Sequence, residues 1–239
     1  MTISRVGVGT VSAVTTAALP GYPTVASGDR LIMVTFSDST AQPTDPATWG
    51  TGTPVASGGG MNCTVWTKIA AGTETGTVTV NGFTSGTKGA SWIENYRGSV
   101  VTPTPTIQTA ADTDTSSTTA AATGTSWTAA TDDWIVGAWA LLAPSASYTA
   151  NATGPTLSNA GTSGTNTSRF NSRTGTNTVA YGGLDLAITS GGTGAPSFSA
   201  TTVGANAAGM VAFVLLTEDV SATQTLAPSV VRTPVRWTH

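Results

Sequence analysis

The residues that could carry chemistry in this sequence are few. The one histidine is His239, the last residue, so a Ser-His-Asp triad has no base at its centre. A frayed chain end is the plainer reading of His239. Glycoside hydrolysis needs a pair of carboxyl groups, one protonating the leaving oxygen and one attacking or activating water. Glu74, Glu94, Asp185 and Glu218 are the acids available for such a pair. Glu94 and Glu218 fall at matching places in two similar stretches, which points to a strand-end role such as bonding to a turn. Asp112-Thr113-Asp114 and Asp132-Asp133 offer oxygen ligands for Ca2+ but lack the spacing of a complete loop, and read as solvated turns. Gly58-Gly59-Gly60 is not followed by Lys-Ser/Thr, so it reads as a flexible connection and not a phosphate cradle. Cys63 is alone, which excludes an intrachain disulfide and a cysteine-based metal site; it reads as a buried, inert thiol. The expectation is therefore no catalytic residue, no cofactor and no metal.

Aromatic side chains offer a different chemistry, since ring faces stack on the apolar faces of sugars. Of the 7 Trp, Trp66, Trp92, Trp134 and Trp139 lie in strand-like runs and are expected in the core. Trp49, Trp127 and Trp237 lie in loops or the tail and are expected to be exposed; Trp49 and Trp127 are the candidate glycan contacts. Asn62, Asn151 and Asn166 begin Asn-X-Ser/Thr triplets, which arise by chance in a chain so rich in Thr and Ser.

The elements that must hold these residues are strands. The charged share is 9%, against roughly 25% in ordinary soluble domains, while the hydrophobic share is 39%. Thr, Ser, Gly and Ala fill the difference, and 28 Gly with 12 Pro make a turn-rich inventory. Threonine's branched Cβ favours strands. A polar but weakly charged surface repels itself little, so association is easy. The net charge of −3 and only 9 Lys plus Arg argue against nucleic acid as a partner. Met1–Arg5 lacks the apolar core of a signal peptide, and Trp134–Ala143 and Met210–Leu216 are too short to span a bilayer, so no membrane insertion is expected.

The most informative stretch is Val65–Gly98. It reads as three strands joined by two tight connections: Val65–Ala70, Gly76–Phe83 and Ala90–Tyr96. Thr77-Val78-Thr79-Val80 alternates polar and apolar, as a half-buried strand does. Other strands are expected in Ile3–Thr16, Leu31–Phe36, Trp127 and Trp134–Leu142, Asn177–Thr189, Ser197–Val203 and Gly209–Thr217. Ser37–Gly60, Val100–Gly124 and Ser145–Gly175 read as long connections. No helix is expected, because the Ala-rich pieces are loaded with Thr and Ser and lack spaced apolar positions.

A unit returns along the chain. Asp132–Val136 echoes Gly28–Ile32, and Phe198–Glu218 echoes Val78–Glu94. Two such half-units sharing one sandwich make a jelly roll. The expected fold is all-β, a jelly-roll-like antiparallel β-sandwich with long Thr/Ser/Gly-rich loops. One domain is expected over residues 1–219, and an extended C-terminal tail over 220–239, where Pro228 and Pro234 bar a place inside a sheet. Leu31–Phe36, Ile135–Leu142 and Met210–Leu216 are apolar on both faces. A two-layer sandwich buries one face of each sheet, so loops or another chain must cover the second.

The order of several short motifs resembles that of a group of tailed-bacteriophage virion proteins: Gly28-Asp29-Arg30-Leu31, Pro46-Ala47-Thr48-Trp49, a hairpin from Trp66 to Val80, Tyr96-Arg97-Gly98, and Trp127 to Asp133, closing in the apolar run Met210–Leu216. The match covers Val6 to Asp219. The resemblance implies a minor tail, head-decoration or fibre component with a jelly-roll-like fold and no catalytic residues. The expected function is a non-enzymatic structural protein on the virion surface, assembled in the host cytoplasm and docked on other capsid or tail proteins. It would self-associate as a homo-oligomer, a trimer included. Val230, Val231, Arg232, Arg236 and Trp237 of the tail are the expected docking residues. The alternative is a carbohydrate-binding module recognising host-surface or cell-wall glycans.

Overall fold

The computed structural model describes residues 2–39, 41–56, 61–98, 105–112, 119–142, 153–173, 179–201 and 208–218. The fold is all-β and antiparallel. The first half contributes β1 (Ser4–Val8), β2 (Ser12–Ala13), β3 (Arg30–Ser37), β4 (Thr53–Ala56), β5 (Asn62–Ile69) and β6 (Gly89–Arg97). The second contributes β7 (Thr106–Asp112), β8 (Thr119–Thr123), β9 (Trp127–Ala129), β10 (Trp134–Leu142), β11 (Thr153–Asn159), β12 (Ser163–Arg173), β13 (Val179–Ser190), β14 (Gly192–Gly194), β15 (Pro196–Thr201) and β16 (Ala208–Leu216).

The two halves repeat one topology. The first half's sheet runs β1-β6-β3-β5-β4, with β2 also on β6; the second half's runs β7-β16-β10-β13-β12. Each has its first strand beside its last. Outside the second sheet lies a three-stranded layer, β11-β15-β8. The first half has the same layer in reduced form, as single bridges Ala18↔Val80, Gly21↔Thr77 and Thr44↔Asn81. The two large sheets pack against each other. Ile32, Val34, Phe36 and Trp92 of one meet Val136, Ala138, Met210 and Ala212 of the other in a common core. The outer face of the second sheet, with Trp139, Leu141 and Phe213, is covered by Leu157, Phe198 and Ala200 of its own outer layer. The outer face of the first, with Leu31, Met33, Trp66 and Ile93, is covered by Val14, Ala18, Val78, Val80 and Phe83. Stacked strand layers result, with three apolar cores between them.

This stacking explains the strands that are apolar on both faces. β3, β10 and β16 each lie between two cores, as a continuous apolar run in a fully buried strand requires. Their second faces are covered within the chain, so no further subunit is needed to cover them. The large sheets, one from each half, thus face each other as a sandwich, and the other face of each is covered by segments of its own half.

The echo at Asp132–Val136 is a repeated turn. Asp29 Oδ2 accepts the Ala26 N–H at 2.9 Å, and Asp133 Oδ2 accepts the Ala130 N–H at 2.8 Å. Gly28 N–H donates to the Ala70 carbonyl and Asp132 N–H to that of Ile188, both at 2.9 Å. Gly28 and Asp132 both have positive φ, 89° and 72°. The turn launches the central strand of each sheet.

Three sequence expectations need correction. Val65–Gly98 is not a run of adjacent strands: β3 lies between β5 and β6, and the middle segment crosses to the outer layer with Val78 and Val80 inward. Alternation reports a half-buried segment, not its neighbour. Glu94 and Glu218 are not equivalent: Glu94 pairs with Ile32, while the matching position beside Val136 is Val214. The stretches read as connections hold β4, β7, β8, β11 and β12, whose Thr, Ser and Ala content hid their strands.

Candidate functional site

Two groups of polar side chains stand out. The first is buried between the large sheets, where Glu94 and Asp185 are each 1% exposed. The Tyr96 hydroxyl lies between them, 3.1 Å from Glu94 Oε2 and 3.4 Å from Asp185 Oδ2. Trp92 Nε1 donates to Glu94 Oε1 at 3.1 Å. Each acid has its own guanidinium: Arg5 Nε reaches Glu94 Oε2 at 3.1 Å, and Arg169 Nε reaches Asp185 Oδ2 at 2.6 Å. Arg169 also lies over the Trp134 ring at 5.7 Å. The pairing of β12 with β13 slips between Ser168 and Phe170, so Arg169 sits in a bulge, a device that re-aims a side chain. Gly183 leaves the space that Glu94 fills: a Cβ there would stand 2.6 Å from Glu94 Oε1.

Burial pushes the Asp185 carboxyl up, against the pull of Arg169. Burial, with the charges of Glu94 and Asp185, pushes the Tyr96 phenol well up. Two of the four acids singled out in the sequence thus come together. Their place between packed sheets, with Phe36, Phe170 and Tyr181 ringed around Trp92, accounts for them as a tie between the halves.

The second group is at the surface of the first half. A hollow of about 680 Å3 lies between Thr44–Thr48 and Thr73–Asn81. A smaller one of about 380 Å3 adjoins it, and Tyr22, Glu74 and Thr75 line both. Lys68 Nζ is 3.0 Å from Glu74 Oε1 and lies over the rings of Tyr22 and Trp49, at 5.4 and 5.3 Å. Burial raises the Glu74 carboxyl, but the Ala71 N–H and the Lys68 ammonium outweigh it and hold the pKa at about 2. Asp45 Oδ1 accepts from Trp66 Nε1 at 2.8 Å and from Gly52 N–H at 2.9 Å, which fixes the far wall.

The candidate glycan contacts are not exposed platforms. Trp49 is 4% exposed; it stacks under Tyr22 at 6.1 Å and donates its Nε1–H to the Tyr22 hydroxyl at 3.1 Å. Trp127 is 8% exposed and donates to Asn159 Oδ1 at 2.8 Å within the second half's outer core. Trp49 lies in a loop that itself covers a sheet, and Trp127 opens the short strand β9, so neither ring is exposed. Cys63 is fully buried, and burial pushes its thiol up, as an inert thiol requires. Asp132 and Asp133 sit in the repeated turn described above. Val230, Val231, Arg232, Arg236, Trp237, His239 and Asp114 lie outside the described residues.

Sequence reasoning missed Tyr22, Lys68, Arg5 and Arg169. The Arg169 bulge has no local signal. Lys68 and Glu74 do, because they flank one short turn before a strand-like Thr-Val alternation.

No family model matches the chain, and neither a curated protein nor a solved structure shows significant similarity to it.

Proposed function

We propose that this chain is a non-enzymatic structural component of a tailed-bacteriophage virion, as a capsid-decoration or minor tail protein on the particle surface. Each half is taken as a jelly-roll-type sandwich. With the short strands β2, β9 and β14 left aside and the rest numbered in chain order, its extended segments run 1-8-3-6-5 in the inner sheet and 2-7-4 in the outer layer. Jelly rolls recur in viral capsid and lectin domains. The observation that carries the reading is the stacking of three cores in one chain, with the two large sheets sharing the middle one and the buried acids Glu94 and Asp185 paired within it. The order of short motifs from Gly28 to Leu216 supports the phage assignment.

Residues 220–239 are the docking arm in this reading. An extended segment attaches to a neighbour through main-chain hydrogen bonds and alternate side chains in pockets; Val230, Val231 and Trp237 supply the side chains, and Arg232 and Arg236 the charge. Self-association rests on this arm in this reading, since the outer apolar faces of the described sheets are already covered. The test is incorporation. In particles made by the genome that encodes the chain, immunogold labelling is expected on the surface with the full chain and not with residues 220–239 deleted. Full incorporation of the truncated chain overturns the docking arm, and unlabelled particles overturn the reading.

A further inference from the structure

The two halves differ most where the outer layer is incomplete. In the second half β11 pairs along β15 from Thr153↔Thr201 to Asn159↔Pro196. In the first half the matching contact is the single bridge Thr44↔Asn81, with the Thr44 N–H donating to the Asn81 carbonyl at 2.8 Å. Beyond it the chain turns away, with Trp49 N–H closing on the Pro46 carbonyl. Val78 and Val80 direct their N–H groups to Pro20 and Ala18. Antiparallel pairing alternates sides, so the backbone groups of Thr77 and Thr79 face the other way, toward the place that β11 fills in the duplicate. That place is the hollow of about 680 Å3.

We propose that this groove is a binding site for a neutral oligosaccharide. Thr77, Thr79 and Asn81 line it at the period of two that places side chains on one face of an extended segment, and Thr73 and Thr75 line it from the turn that precedes Gly76. Hydroxyls and an amide both donate and accept, as sugar hydroxyls do. Tyr22, stacked on Trp49 and with the Lys68 ammonium over its ring, stands where the two hollows meet and adds an aromatic side chain to the lining. The charges in the groove are satisfied: Lys68 is paired with Glu74, and Asp45 accepts two hydrogen bonds. An anionic ligand would meet two carboxylates and one committed ammonium, so the site selects against phosphate and acidic sugars. The volumes, about 680 and 380 Å3, lie in the roughly 300–1,000 Å3 range of small-ligand sites.

The experiment passes the full-length protein over a panel of immobilised neutral and acidic glycans, with extended Thr/Ser-rich peptides as a third arm. Retention of a neutral glycan is expected, changing by less than about twofold when salt rises, because no net charge is recognised. Thr77→Val and Thr79→Val keep shape and strand propensity at exposed positions and remove one hydroxyl each. Each should weaken binding roughly 3- to 10-fold, and Tyr22→Ala should weaken it at least as much. Three results overturn the proposal: no neutral glycan retained, retention unchanged in the two threonine variants, or retention of the peptides in place of glycans. Particle incorporation of Thr79→Val is expected to equal wild type, so this site and the structural role fail separately.

Discussion

Asp185 is a carboxylate held between two sheets by one guanidinium, and removing that guanidinium strands it. Breaking a buried pair from one side typically costs about 3–5 kcal/mol, because the remaining charge is left uncompensated. Arg169→Met is expected to lower stability by about that much in a denaturant titration, and Arg169→Met with Asp185→Leu to recover most of the loss. Equal losses in the single and double variants would show that the pair is not the tie. Asp29 and Asp133 occupy the same turn but titrate in opposite directions. Burial raises both, yet at Asp29 the bidentate Arg97, at 2.7 and 2.9 Å, with Asn95 and the Ala26 N–H brings the pKa below the ordinary value. Asp133 has the Ala130 and Glu218 N–H groups instead, and burial keeps it raised. A depressed carboxyl contributes stability above its unfolded pKa of about 3.9, and that contribution is lost as pH falls through the folded value. Asp29→Asn should therefore destabilise at pH 6, with the gap to wild type closing as pH falls below 4. A gap that stays constant with pH would contradict this. Asp133 and Asp185 work in the other sense, gaining stability as pH falls toward their raised values.

At the scale of elements, one residue conformation is repeated with two side chains. Asp132 takes the positive φ that Gly28 takes in the first half, and an L residue there costs up to about 1–2 kcal/mol. Asp132→Gly is expected to raise the thermal midpoint slightly, and a fall would mean that the Asp132 side chain has a role of its own. This repeat was legible in the sequence because Gly28–Ile32 and Asp132–Val136 share their polar-to-apolar step. The strongest strands were legible for a related reason: β3, β10 and β16 are unbroken apolar runs, which buried strands demand. β11 and β12 were not, since Thr, Ser, Asn and Gly dominate them and their partners in the sheet, not their own pattern, set their conformation. Pairing order was hidden as well. Val78 and Val80 alternate in either an adjacent hairpin or a second layer, and only the covered face of β3 decides between them. Of the groove, the threonine alternation was readable; the gap that opens it was not, because it depends on the chain turning at Pro46–Trp49 after a single bridge at Thr44.

For the whole molecule, the stacking sets what the surface can do. Three cores in one chain account for the large apolar faces among the described strands, so the proposed docking is left to extended segments and polar grooves. The interface between the halves is itself a sheet-on-sheet contact, with charge at its rim where Arg5 and Arg169 are part-exposed and aromatic packing within. The measurement that bears most directly on the structural role is quantitative mass spectrometry of gradient-purified particles from the genome that encodes the chain. The account predicts a fixed copy number per particle that survives high-salt washing. Its absence from particles, with the protein found only in the free lysate fraction, would contradict it.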